Sequence, residues 1–213
     1  MNKKKIIEIG LKMLKDGLVA STWGNVSMLE NEGNLLITPS GIPYDELAEE
    51  DLVLMDFSGV VLEGKRKPSS EYLLHSEIYQ KRKDVKAIIH THSLYASAYA
   101  VVGQPIPALI EDAAMVVGGR IEIAEYALPG TRALADNAAM FLADRNAVLL
   151  ANHGLVSVGD SLEEAYKIAL LVEKMAHIGV AAKSLGDPKE ISEADVKYMC
   201  EKYKTCYGQK IGG

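Results

Sequence analysis

Three of the five histidines in this chain are spaced so that they could share one ligand. His90 and His92 stand two apart at the end of the apolar run Ala87-Ile88-Ile89. On a strand, side chains at i and i+2 leave the same face, so both imidazoles can reach one ion. His153 lies in an Asn152-His153-Gly154 turn that closes a second apolar run, 147–151. Three imidazoles with one open position describe a catalytic zinc-type site. Taken alone, His90 and His92 could equally be two satisfied strand histidines. The apolar run before each favours a metal, because it would bury imidazoles that are costly to leave unpaired. His75 lies four residues past Glu71, on the same helical face, and reads as a supporting or packing residue; His177 reads as structural.

Three small polar loops could hold an anion: Thr22-Trp23-Gly24-Asn25, Ser40-Gly41 and Ser69-Ser70. Hydroxyls, amides and exposed backbone N–H groups bind phosphate without a formal positive charge, most readily near a helix N-terminus. Ser69-Ser70 follows Pro68 and precedes a helix, so that helix dipole would face the anion. Each loop alone is no more than a turn. Glu71 follows directly. It could fill the fourth metal position, leave when substrate arrives, and move a proton; it could also be an ordinary first-turn glutamate favoured by the dipole.

The elements that must position these residues follow from periodicity. Residues 3–16 carry apolar side chains at helical spacing, with Gly17 placed to end the helix. A strand starts after the 21–27 loop, and 35–37, 53–55 and 60–62 read as short strands, the last two around a Ser58-Gly59 turn. Residues 70–83 read as a helix, and 87–92 as a strand leading to a helix at 95–101. Residues 133–144 read as a helix, 147–151 as a buried strand, and 155–158 as extended. Ser161 with Glu164 forms a capping-box signature for a long helix reaching the Lys183 region. A last helix follows Pro188. The alternation predicts one α/β domain over 1–213, with a mixed or antiparallel sheet.

Bulk properties narrow the partners. A formal net charge of -6 argues against nucleic acid and against an anionic membrane surface. Lys3-Lys4-Lys5 reads as the polar start of the first helix. Cys200 and Cys206 match neither a metal ribbon nor a redox pair. No apolar run reaches the roughly 20 residues that span a bilayer, and MNKKKIIEIG lacks the apolar stretch of a signal peptide. A reducing cytoplasm is expected.

In order and spacing, five motifs resemble the class II aldolase/adducin family over nearly the whole chain. They are Gly24-Asn25-Val26-Ser27, Ile37-Thr38-Pro39-Ser40-Gly41-Ile42-Pro43-Tyr44, Lys67-Pro68-Ser69-Ser70-Glu71, His90-Thr91-His92 and Asn152-His153-Gly154. The length is similar to that of the family's fuculose-phosphate aldolases. The resemblance implies a three-layer α/β/α single domain on a mixed, largely antiparallel central sheet, assembled as a homotetramer with sites at subunit interfaces. It implies Zn2+, or another divalent metal such as Mn2+ or Co2+, on His90, His92, His153 and Glu71. It implies Glu71 as acid/base, and phosphate contacts on Thr22, Gly24, Asn25, Ser40, Gly41, Ser69 and Ser70. The reaction implied is cleavage of a ketose 1-phosphate, of the fuculose or a deoxy-pentulose type, to dihydroxyacetone phosphate and a small aldehyde.

Within the family, the similar L-ribulose-5-phosphate 4-epimerases carry aspartate where Glu71 stands, which favours the aldolase. A 4-epimerase is the alternative, and a non-catalytic adducin-like module the third, disfavoured by the complete histidine set. Tyr207 resembles the family's tail tyrosine that closes over substrate; a surface aromatic would look the same. One departure stands out. The fuculose-phosphate enzymes present a tyrosine from a neighbouring subunit shortly before a Gly-Gly pair. Here Gly118-Gly119 is present, but Glu111 and Asp112 fall near that place.

Overall fold

The computed structural model describes residues 2–206. Helix α1 (Asn2–Lys15) buries Ile6, Ile9 and Met13 along one stripe. It ends as expected at Gly17, whose φ is +70°. The N–H of Gly17 bonds Leu14 O and that of Leu18 bonds Met13 O, the paired bonds that satisfy a helix C-terminus.

The chain then lays down β1 (Asn25–Asn31), β2 (Asn34–Ile37), β3 (Val53–Asp56) and β4 (Val61–Glu63) as successive antiparallel neighbours. Helix α2 (Tyr72–Lys81) returns the chain to β5 (Ala87–Thr91), which pairs antiparallel with β1. Then follow α3 (Leu94–Val101), α4 (Glu111–Val117), β6 (Ile123–Ala124), α5 (Arg132–Leu142), β7 (Ala147–Leu150), β8 (Gly154–Gly159), α6 (Leu162–Lys183) and α7 (Glu193–Cys206). The sheet order is β4-β3-β2-β1-β5-β8-β7-β6, with every pair antiparallel except β6 and β7. This is the mixed, largely antiparallel sheet expected.

Period-2 alternation along the strands feeds two apolar layers. Ala87, Ile89, Leu149 and Leu155 join α1, α3, α4 and α6 on one face. Ile88, Val148, Leu150, Val156 and Val158 join α2 and α5 on the other. Burying each large aliphatic side chain contributes roughly 1.5–3 kcal/mol, so both faces are firmly covered and the three-layer arrangement follows. No helix among the described residues is long and apolar enough to cross a membrane.

Some details differ from the periodicity. Helix α4 and the two-residue β6 were not expected, because seven and two residues are too few to show a period. Helix α2 begins at Tyr72, with Glu71 as its N-cap residue. At α6, the Ser161 hydroxyl accepts from the N–H of Glu164 as a capping box requires. The Glu164 carboxylate, however, pairs with Lys167.

Candidate metal centre and phosphate loops

Strand β5 is central in the sheet and carries His90 opposite Asn25 on β1 and Val156 on β8. His90 is fully buried. Its Nδ1–H donates to Leu155 O at 3.0 Å, which fixes the tautomer and leaves an Nε2 lone pair facing His92 and Glu71. That Nε2 lies 2.9 Å from His92 Nε2. His153 enters from the β7–β8 turn, presented by Asn152 in the left-handed region with φ +55°, a conformation asparagine tolerates better than most residues. The three rings stand edge to face, with centroids 4.7–5.0 Å apart.

Glu71 completes the cluster. Its Oε2 is 3.3 Å from His90 Nε2 and its Oε1 is 3.3 Å from His153 Nε2. One ligand atom from each of the four residues lies within 4.8 Å of the others. Burial, first of all, pulls His90, His92 and His153 below the ordinary histidine range; the crowding of imidazoles adds to this for His90 and His92. At neutral pH these rings are therefore neutral, the form that ligates. Glu71 Oε1 and His153 Nδ1 are buried without a hydrogen-bond partner among the described residues. Converging lone pairs beside a buried carboxylate fit a divalent cation.

Two glycines let the backbones close on this cluster. Gly24 has φ +83°, and a Cβ there would sit 2.7 Å from His90 O. A Cβ on Gly154 would collide with Thr91 O and lie 3.1 Å from His92 Cδ2. His92 is steadied from further away. Ser93 heads α3 without capping it; instead the Glu173 carboxylate of α6 accepts from Ser93 Oγ at 2.7 Å, Tyr95 N at 2.8 Å and Ala96 N at 2.9 Å.

Two of the candidate phosphate loops reach Glu71, through Asn25 and Ser69, and the third is tied to the segment that leads into it. Ser69 N–H donates to Thr38 O and Ser40 N–H to Lys67 O, both at 3.0 Å, and Pro39 bridges Pro68. Thr38 ties that pair to β1, accepting from Val26 N–H at 3.1 Å. Ser69 is buried and its hydroxyl accepts from Glu71 N–H at 3.3 Å. Ser40, Gly41 and Ser70 are exposed, and Thr22 and Gly24 are half-buried. The Asn25 side chain is turned inward: it donates from Nδ2 to Glu71 Oε2 at 3.0 Å, and its Oδ1 meets His75 Nε2.

Not every candidate joins the site. Tyr207 lies outside the described residues. Asp112 forms an ion pair with Lys174 of α6 at 2.6 Å, and Glu111 is exposed at the head of α4. Sequence reasoning passed over Ser27, Tyr79 and Glu173, and the stacking of exposed Trp23 on His92. Ser27 and Tyr79 left a usable signal, since Asn25/Ser27 keep strand spacing and Glu71/His75/Tyr79 keep helical spacing. Glu173 left none.

Residues 4–180 match the class II aldolase and adducin N-terminal domain. The chain belongs to this family. Among its relatives, a 5-deoxy-D-ribulose 1-phosphate aldolase of Bacillus thuringiensis serovar kurstaki is 40% identical over 98% of this chain and 97% of its own. An L-fuculose phosphate aldolase of Escherichia coli O6:H1 is 39% identical over 98% and 96%. A solved L-fuculose 1-phosphate aldolase superposes with a TM-score of 0.92 at 41% identity, covering 95% of each chain.

Proposed function

We propose that this protein is a divalent-metal-dependent aldolase that cleaves a ketose 1-phosphate to dihydroxyacetone phosphate and a small aldehyde. The substrate is of the 5-deoxy-pentulose or fuculose 1-phosphate type. The observation that carries the reading is Glu71. It occupies the N-cap of α2 without capping it, and its carboxylate instead faces His90 and His153.

His90, His92, His153 and Glu71 would hold the ion, and a nitrogen-rich set of this kind suits Zn2+, with Mn2+ and Co2+ as alternatives. When bound, the ion supplies Lewis acidity to the oxygens that gain negative charge. The rest belongs to the chain. The loops carrying Thr22, Gly24, Asn25, Ser40, Gly41, Ser69 and Ser70 receive the phosphate through hydroxyls and N–H groups. This anchors the ketose and aligns its C3–C4 bond. As that bond breaks, its electron pair remains on C3, and the C4 hydroxyl becomes the aldehyde as its proton passes by way of solvent to Glu71. Glu71 delivers a proton to C3. Tyr207 is kept as a candidate for the aldehyde end.

The nearby relatives, a 5-deoxy-D-ribulose 1-phosphate aldolase and an L-fuculose phosphate aldolase, support cleavage over 4-epimerisation. One domain over 1–213, working in a cytoplasmic homotetramer, is part of the same reading. Trp23 and Leu94, 63% and 70% exposed beside His92, support a second copy covering that side.

The test is release of dihydroxyacetone phosphate from a panel of ketose 1-phosphates, each with Zn2+, Mn2+ or Co2+. Turnover of a 5-deoxy-pentulose or fuculose phosphate that stops with chelator is expected. Conversion of ribulose 5-phosphate to xylulose 5-phosphate, with no cleavage in the panel, would replace the aldolase with the epimerase. Sedimentation of the same sample reads the assembly, and a monomer would remove the tetramer.

A further inference from the structure

We propose that His75 is a positioning residue for Glu71, acting through the side-chain amide of Asn25. The inference rests on the reading of Glu71 as the proton-transfer group and assigns what holds that group in place.

Two periodicities meet here. Strand β1 offers Asn25 and Ser27, two apart and on one face. Helix α2 and its N-cap offer Glu71, His75 and Tyr79, four apart and along one stripe. They interlock as a single chain of hydrogen bonds. Tyr79 OH lies 2.8 Å from Ser27 Oγ, and Ser27 Oγ 2.6 Å from His75 Nδ1. His75 Nε2 meets Asn25 Oδ1, and Asn25 Nδ2 reaches Glu71 Oε2 at 3.0 Å. None of the five residues is more than 7% exposed.

Only one arrangement of protons satisfies every link. The carboxylate accepts, so Asn25 must turn its NH2 toward Glu71. Its Oδ1 then needs a donor, which makes His75 the Nε2–H tautomer. His75 Nδ1 must accept, so the Ser27 hydroxyl donates to it, and Tyr79 O–H donates to Ser27. Every hydrogen points toward Glu71. Burial keeps His75 neutral, with its pKa drawn down to about 3, so the direction of the chain persists across the working pH range. A packing residue at this place could be apolar. A polar one in a dry layer is tolerated because the network is complete.

The consequence falls on the carboxylate. Oε2 is held by Asn25, while Oε1 has no hydrogen-bond partner among the described residues and faces His153. Without the His75 donor, Asn25 Oδ1 would be buried with no partner, and the amide would keep only one of the two bonds that fix it. Asn25 would then shift to satisfy that oxygen, and Glu71 Oε2 would lose the donor that holds it between His90 and His153.

The experiment reads exchange of the C3 proton of dihydroxyacetone phosphate with solvent deuterium in zinc-loaded full-length protein, as kcat and KM separately. His75→Leu is expected to lower kcat roughly ten- to hundred-fold, with KM and zinc content unchanged. His75→Gln, whose amide can donate to Asn25 and accept from Ser27, is expected to recover most of the loss. In a Glu71→Asp background, where the carboxylate is already withdrawn, His75→Leu is expected to cost far less, because the two residues act as a unit. Wild-type kcat in His75→Leu, or an equal cost in both backgrounds, would overturn the inference alone. If His75→Leu does not fold, Ser27→Ala replaces it: a lowered kcat at constant KM supports the chain, and an unchanged kcat overturns it. Full exchange in Glu71→Gln would instead remove the base assignment, and this inference with it.

Discussion

The Nε2 atoms of His90 and His92 face one another at 2.9 Å. His90 spends its ring proton on Leu155 O, so its Nε2 has a lone pair to offer, and both rings are held neutral by burial. A cation shared by the two rings relieves that confrontation and binds only the folded chain. Ligand that binds only the native state raises stability by about 2.7 kcal/mol at a hundred times its Kd. Thermal melting should therefore shift upward with Zn2+ and downward with chelator. His92→Ala should abolish the zinc-dependent shift while leaving a cooperative melt. A zinc shift that persists in His92→Ala would place the ion elsewhere.

A second expectation comes from the closeness of β8 to β5. A methyl group at Gly154 would strike Thr91 O and press on His92 Cδ2. Gly154 also follows His153 directly, so any shift is passed to two imidazoles at once. Overpacking of this kind costs about 1–3 kcal/mol. Gly154→Ala should lower the urea midpoint by a corresponding amount and weaken zinc affinity, read by competition with a chromogenic chelator. Unchanged zinc affinity would show that the turn absorbs the methyl without moving the ligands.

Acid should destabilise the metal-free protein through the same buried rings. A histidine whose folded pKa is depressed binds fewer protons folded than unfolded. Its contribution is complete above the unfolded value, near 6.5, and is lost as pH falls toward the folded one. For His75 that window runs from 6.5 to about 3, with a limiting slope of about 1.4 kcal/mol per pH unit. His90, His92 and His153 act in the same direction. Urea unfolding of chelated protein should show stability falling steadily below pH 6.5, and His75→Gln should flatten that limb. An identical slope in the variant would mean that His75 takes up its proton with little penalty.

How much of this was visible in the sequence depended on the range of each interaction. His90 and His92 share a strand face because they are two apart, and their shared site could be read directly. Gly17 ended α1 as its position promised. The loops around Thr38, Ser69 and Asn25 could each be seen as a turn, but their meeting required knowing that β1, β2 and the 67–70 segment are neighbours, which came through the family's motif order. The inward turn of Asn25 was not legible, because a short polar residue in a loop gives no sign of which way its amide points. Helix α4 escaped because seven residues complete too few turns to show a stripe. Tyr207 remains a sequence expectation outside the described residues.

The contact least visible in the sequence carries the last prediction. Glu173 accepts from Tyr95 N and Ala96 N across a gap of nearly eighty residues. It thereby does for α3 what an N-cap side chain ordinarily does, with a full negative charge at the positive end of the helix dipole. Ser93 is left to donate its hydroxyl to the same carboxylate, so the residue directly after His92 is pinned to α6. Glu173→Ala would strand two buried-side N–H groups and a hydroxyl. It should cost about 1–3 kcal/mol in urea unfolding. Because the turn after His92 would loosen, zinc should also dissociate faster. Glu173→Gln keeps an acceptor oxygen but loses the charge and one acceptor, and should fall between alanine and wild type. A stability loss with zinc dissociation untouched would mean that α3 is capped for its own sake, and that His92 is held by β5 and Gly154 alone.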